Sequence, residues 1–226
     1  MNGVFVTGTD TGVGKSVLAA AICAALVRRG ERVAAFKPAV TGTDDPAGDW
    51  PPDHELLAAQ TGQHPNEVTP RTFGPAVSPH LAAELAGEPL EPAALAQAAR
   101  AAAAGADVLV CEGVGGLMVP LAADHLVRDL AVQLALPLVV AARPGLGTIN
   151  HTLLTVEAAR AAGLAVAGVV FTPWPAEPDR VAASNRDTVR RLTGVRVSGL
   201  APTEPGTLAE AGEGLPLSDW LGQPAA

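Results

Sequence analysis

Short apolar runs rich in valine and leucine alternate along this chain with longer, alanine-rich segments, the pattern of parallel strands joined by crossover helices. The runs predict strands at about Gly3–Thr7, Val33–Lys37, Asp107–Cys111, Pro137–Ala142, Val166–Phe171 and Arg196–Leu200. Helices are expected between them, at Ser16–Arg29, Pro92–Ala104, Leu126–Leu136, Thr148–Ala162 and Pro178–Leu192. Gly30, Gly105, Gly163 and Gly194 stand where a helix end favours glycine. Two proline-rich stretches, Asp44–Asp53 and Pro65–Pro79, lack periodicity and read as surface loops within one domain. The expected class is α/β, a mostly parallel sheet flanked by helices.

Composition fits this plan: 48% of the 226 residues are hydrophobic but only 3% aromatic, and alanine and valine faces let helices lie close to a sheet. The longest apolar run, Val17 to Val27, is about half of the roughly 20 residues that a membrane span needs, despite a mean hydropathy of +0.27. The first residues, Met-Asn-Gly-Val-Phe-Val-Thr-Gly, carry no secretory pattern, so a cytoplasmic protein is expected. Cys23 and Cys111 sit in apolar runs and read as buried thiols, and the five histidines have no zinc-site spacing. The net charge is −8, which argues against a nucleic-acid surface and requires any polyanion to meet a local electropositive pocket.

One candidate pocket follows the first strand. Thr7-Gly8-Thr9-Asp10-Thr11-Gly12-Val13-Gly14-Lys15-Ser16, leading through Val17 into a helix, has the order of a phosphate loop, with Thr9 where the strict pattern has glycine. Backbone N–H groups of Gly12 to Val17 can curl around phosphates, Lys15 can reach the β/γ-phosphates, and Ser16 can ligate Mg²⁺. Lys37 ends the second strand and is either a second cation at the crevice or a solvated strand-end lysine. The third strand leads to Glu112-Gly113-Val114-Gly115-Gly116. An acidic residue at a strand tip can hold Mg²⁺, and the glycines can admit a ligand close to the backbone. Glu112 as a helix-start carboxylate is the alternative. The turn Gly145-Leu146-Gly147-Thr148-Ile149-Asn150-His151 enters a helix with Thr148 as expected N-cap; it can bind an anion or be an ordinary capped helix. The turns Thr172-Pro173 and Ala201-Pro202-Thr203 follow the last two strands at the same sheet edge.

Taken together, TGTDTGVGKS at 7–16, KPAVTG at 37–42, SPH at 78–80, EGVGG at 112–116 and GLGTINH at 145–151 resemble the dethiobiotin synthetase family of phosphate-loop enzymes. The resemblance spans most of the chain and implies one ATP-binding ligase domain over residues 1–226. It implies a cytoplasmic homodimer with interfacial sites that converts 7,8-diaminononanoate, CO₂ and ATP, with Mg²⁺, into dethiobiotin, ADP and phosphate. By resemblance Lys37 and Lys15 are catalytic; Ser16, Asp53 and Glu112 hold Mg²⁺; Thr41 contacts the substrate; and Gly147, Thr148 and Asn150, from the partner subunit, receive the substrate carboxylate. Gly113, Val114, Gly115, Thr172, Ala201, Pro202 and Thr203 complete the nucleotide site. Asp53 is chosen among neighbouring Asp44, Asp45, Asp49 and Glu55 because Leu56-Leu57 and Gly62 follow as in the family helix; Asp49 is the alternative. Gly12 replaces a glutamate of some members, and Thr172-Pro173 replaces an Asn-Asp pair that can read adenine, so relaxed nucleotide choice is expected. No role is assigned to Ser184-Asn185-Arg186. A partitioning or septum-site ATPase is the competing class, but Asp10 holds the place of its typical lysine. The stretch Glu204 to Asp219 is also acidic and interrupted by glycine and proline.

Overall fold

The structure is a computed structural model that describes residues 1–46 and 48–221. In chain order the first half contains β1 (Gly3–Gly8), α1 (Lys15–Arg28), β2 (Val33–Phe36), β3 (Val40–Thr41), α2 (Asp53–Thr61), α3 (Pro65–Val68), β4 (Thr72–Phe73), α4 (Pro79–Ala86) and α5 (Pro92–Ala102). The second contains β5 (Val108–Gly116), β6 (Pro120–Ala122), β7 (His125–Leu126), α6 (Val127–Leu134), β8 (Leu138–Ala142), α7 (Thr148–Ala161), β9 (Val166–Phe171), α8 (Arg180–Thr193), β10 (Val197–Gly199), α9 (Leu208–Glu213) and α10 (Leu217–Leu221).

Six strands form one parallel sheet in the order β10-β9-β8-β1-β5-β2. The chain passes from β1 to the edge strand β2, returns to β5 between the two, then crosses to β8 on the other side of β1. That reversal opens a crevice at the carboxyl end of β1, where ligands bind in such sheets. Strand alternation feeds two main cores: Val4 and Val6 point to a layer with α1, α2 and Trp220, while Phe5 points to a layer with α5 and α6. The six expected strands and five expected helices are present with boundaries shifted by at most two residues, except that β5 runs five residues past its expected end. No helix among the described residues is long and apolar enough to cross a membrane.

Several expectations change. Glu112 is not at a strand tip: β5 runs on to Gly116, and Glu112 lies opposite Val6 of β1, with Gly8 pairing Gly116 after an irregularity. The stretch Pro65–Pro79 is more than a loop. It contains α3 and β4, because β4 pairs with β3 and Lys37 N–H donates to the Val68 carbonyl, which pins the segment after β2. α4 follows it, and α9 and α10 arise despite their glycines and prolines. Gly212 in fact permits α9: a Cβ there would stand 2.1 Å from the Ala21 carbonyl oxygen of α1. Thr148 is the first helical residue of α7, and its N-cap is Gly147 at φ 90°.

Candidate active site

Loops at the carboxyl ends of the parallel strands enclose a crevice of 1260 Å³. Between β1 and α1, Gly12 (φ 69°) and Gly14 (φ 85°) take left-handed conformations that a side chain would strain, and Gly14 is the N-cap of α1. Lys15 is buried and curls back so that its Nζ donates to the Asp10 carbonyl at 2.9 Å. Burial lowers its pKa to about 8, with Lys37 acting in the same direction.

Behind the loop, four side chains from four elements meet. Lys37, past the end of β2, donates from Nζ to Glu112 Oε1 at 2.5 Å and pairs with Asp53 Oδ2 at 2.9 Å. Ser16, in the first turn of α1, donates from Oγ to the same Glu112 oxygen at 2.8 Å. Glu112 is fully buried; burial pushes its carboxyl above the usual range against the pull of Lys37. Asp53, at the first position of α2, also suffers burial, but the Lys37 ammonium brings its carboxyl below the usual range. Burial works against the Lys37 charge too, yet Asp53 and Glu112 outweigh it and push its pKa up. Lys37 is therefore an ammonium between two carboxylates. That corrects the bare electropositive pocket the sequence suggests: its charge is compensated within the cluster.

Ser16, Asp53 and Glu112 suit Mg²⁺. Glu112 Oε2 is buried with no hydrogen-bond partner, leaving one carboxylate oxygen in want of a cation. Among the described residues no three His, Cys, Asp or Glu side chains form a cage, and Mg²⁺ ordinarily uses one or two carboxylates plus phosphate oxygens and waters. Asp49 is exposed, whereas Asp53 reaches the cluster, which favours the first choice over the alternative.

Most of the residues singled out in the sequence line the crevice: Gly12, Val13, Gly14, Lys15, Ser16, Val17, Lys37, Thr41, Asp53, Val114, Gly115, Thr172, Ala201, Pro202 and Thr203. Thr41 is placed by the β3–β4 pair, and Gly42 N–H donates to the Pro75 carbonyl, which draws Ala76 to Pro79 into the wall. Glu112 lies beneath the floor. Gly113 does not face the crevice: a Cβ there would meet Val127 and Phe5, so its glycine serves core packing. Gly147, Thr148 and Asn150 also fall outside the lining, at the start of α7. The sequence reading missed Arg143, Trp50 and Asp45 as wall residues. Arg143 directly follows β8 at the same sheet edge as the other site turns, the one signal that marks it.

Comparisons with known proteins agree with this geometry. A family model described as an AAA domain matches residues 2–211. An ATP-dependent dethiobiotin synthetase BioD of Anaeromyxobacter dehalogenans is 44% identical over 91% of this chain and 92% of its own. The protein of that name from Rhodococcus jostii is 42% identical over 98% and 95%, and that from Bacillus subtilis 35% over 89% and 87%. A solved structure titled "Structure of Cyanthece apo McdA" superposes with a TM-score of 0.53 over 97% of this chain and 92% of that one; at 13% identity it shares the fold alone. With a phosphate loop at the sheet's switch point and relatives this similar across nearly their whole length, the chain belongs to the ATP-dependent dethiobiotin synthetase family.

Proposed function

We propose that the crevice converts 7,8-diaminononanoate and CO₂, supplied by bicarbonate, to dethiobiotin with cleavage of ATP to ADP and phosphate. One neutral amine attacks CO₂ and loses a proton, giving a carbamate. A carbamate oxygen takes the γ-phosphoryl group as ADP leaves. The second amine attacks the carbamoyl carbon of the anhydride, expels phosphate and, losing a proton, closes the ureido ring. No covalent enzyme intermediate is needed, so catalysis is positioning and charge neutralisation.

The carrying observation is Lys37, an ammonium held at the crevice by two carboxylates beside the phosphate loop. In this reading Lys37 neutralises charge on the carbamate and the transferred phosphoryl group, Lys15 and the amides of Gly12 to Val17 hold the phosphates, and Thr41 orients the diamine. Mg²⁺ bound by Ser16, Asp53 and Glu112 would supply charge neutralisation at the β/γ-phosphates. Gly147, Thr148 and Asn150, outside their own crevice, are proposed to receive the substrate carboxylate of a partner subunit; fully exposed Leu146 beside them supports an interfacial role. ATP hydrolysis is expected to need both diaminononanoate and bicarbonate.

The base end of the crevice is lined by Thr172, Pro173, Ala201, Pro202 and Thr203, none of which offers a side-chain amide. Without an amide aimed at one base edge, turnover with CTP and GTP is expected within about tenfold of that with ATP. A strong ATP preference in a turnover assay would show that backbone groups read the base instead.

A further inference from the structure

Arg143 stands between the phosphate loop and the base wall. It follows Ala142, whose carbonyl accepts from Thr172 N–H at 2.9 Å, and Thr172 in turn borders Gly14, where a Cβ would meet its Cγ2 at 2.8 Å. One guanidinium nitrogen, Nη2, donates to the Gly12 carbonyl at 3.1 Å. The approach is close: a Cβ at position 12 would lie 3.2 Å from Nη2, and the flexible arginine would have to shift by a few tenths of an ångström to admit it. The side chain is exposed, lines the crevice, and makes no ion pair among the described residues. A guanidinium carries five donors, and one is engaged here.

The backbone beneath Arg143 is held from α8. Asn185 is buried at 8% exposure, and its Nδ2 donates to the Pro144 carbonyl at 2.9 Å and the Gly145 carbonyl at 3.0 Å. The NH₂ of Asn185 supplies one uncharged donor to each of the two carbonyls, which ties the loop to α8 from a buried position.

We propose that Arg143 is a phosphate contact of the nucleotide, with Asn185 as the residue that positions it. This inference rests on the nucleotide reading of the crevice. The bidentate fork suits phosphate oxygens better than a point charge does, so Arg143→Lys keeps part of the effect and Arg143→Ala loses it. Arg143→Ala is expected to raise the Kd for ADP with Mg²⁺, measured by titration calorimetry, about tenfold, and the KM for ATP similarly, with KM for diaminononanoate unchanged. Asn185→Ala should weaken ADP by a comparable factor, and the double variant should be no worse than Arg143→Ala alone, because one residue acts through the other. Arg143 is exposed, so its variants keep the fold even if Asn185→Ala loses stability. Unchanged ADP affinity in Arg143→Ala, or a rise confined to the KM for diaminononanoate, would overturn the phosphate contact. Additive effects in the double variant would overturn the positioning role. Failure of the wild-type protein to bind ADP would instead overturn the nucleotide reading itself.

Discussion

The Lys37→Gln protein is expected to lose about two to three orders of magnitude in kcat while still binding ADP and Mg²⁺. The proposed contribution of Lys37 is to charge that develops during phosphoryl transfer and ring closure, so its loss falls on kcat and not on nucleotide affinity. Glutamine can still donate to Glu112 Oε1, but it cannot compensate two carboxylates that now share one ammonium. Breaking a buried pair by removing one partner costs about 3–5 kcal/mol, so the variant should also melt earlier without metal and recover when Mg²⁺ and ADP supply the missing charge. Near-normal kcat in a stably folded Lys37→Gln protein would refute the role.

Glu112→Gln should be comparably damaging for a different reason. Its Oε1 accepts from both Ser16 and Lys37, and Oε2 is the buried oxygen with no partner. An amide in that place has one acceptor atom and no charge: its oxygen can still accept from Ser16 and Lys37, but its NH₂ then takes the Oε2 position, where it cannot receive a cation, and Lys37 keeps only one compensating carboxylate. The expected result is a loss of about 100-fold or more in turnover, with a weaker apparent affinity for Mg²⁺ in the presence of ADP. The Mg²⁺ titration separates this variant from Lys37→Gln, whose metal ligands are intact. Wild-type metal affinity in Glu112→Gln would remove Glu112 from the proposed metal site.

Local patterns made much of this protein legible. A glycine-rich turn between a valine-rich strand and an alanine-rich helix is visible in sequence because its function is written in consecutive residues, and Gly12 to Val17 all reach the crevice. Strands β1, β8 and β9 are nearly continuous apolar runs because helices cover both faces of the sheet. Sequence alone places Glu112 at a strand end because a buried carboxylate resembles one until its partners, Lys37 and Ser16, are known; these lie 75 and 96 residues away. Gly113 looks like a ligand-facing glycine in sequence, and only the packing of Val127 and Phe5 reveals its other purpose. The helices α9 and α10 contradict local propensity: Gly212 reads as a breaker, whereas the close approach of α1 requires it. Arg143 and Asn185 belong to the same class of hidden signal, linked through a loop 40 residues from Asn185.

ATP hydrolysis measured with each component left out in turn tests the central claim most directly. With Mg²⁺ present, ADP should form at a substantial rate only when diaminononanoate and bicarbonate are both supplied, and one dethiobiotin should appear per ADP. ADP formation that ignores the diamine, or that is stimulated by DNA or lipid vesicles in its place, would contradict the proposed reaction.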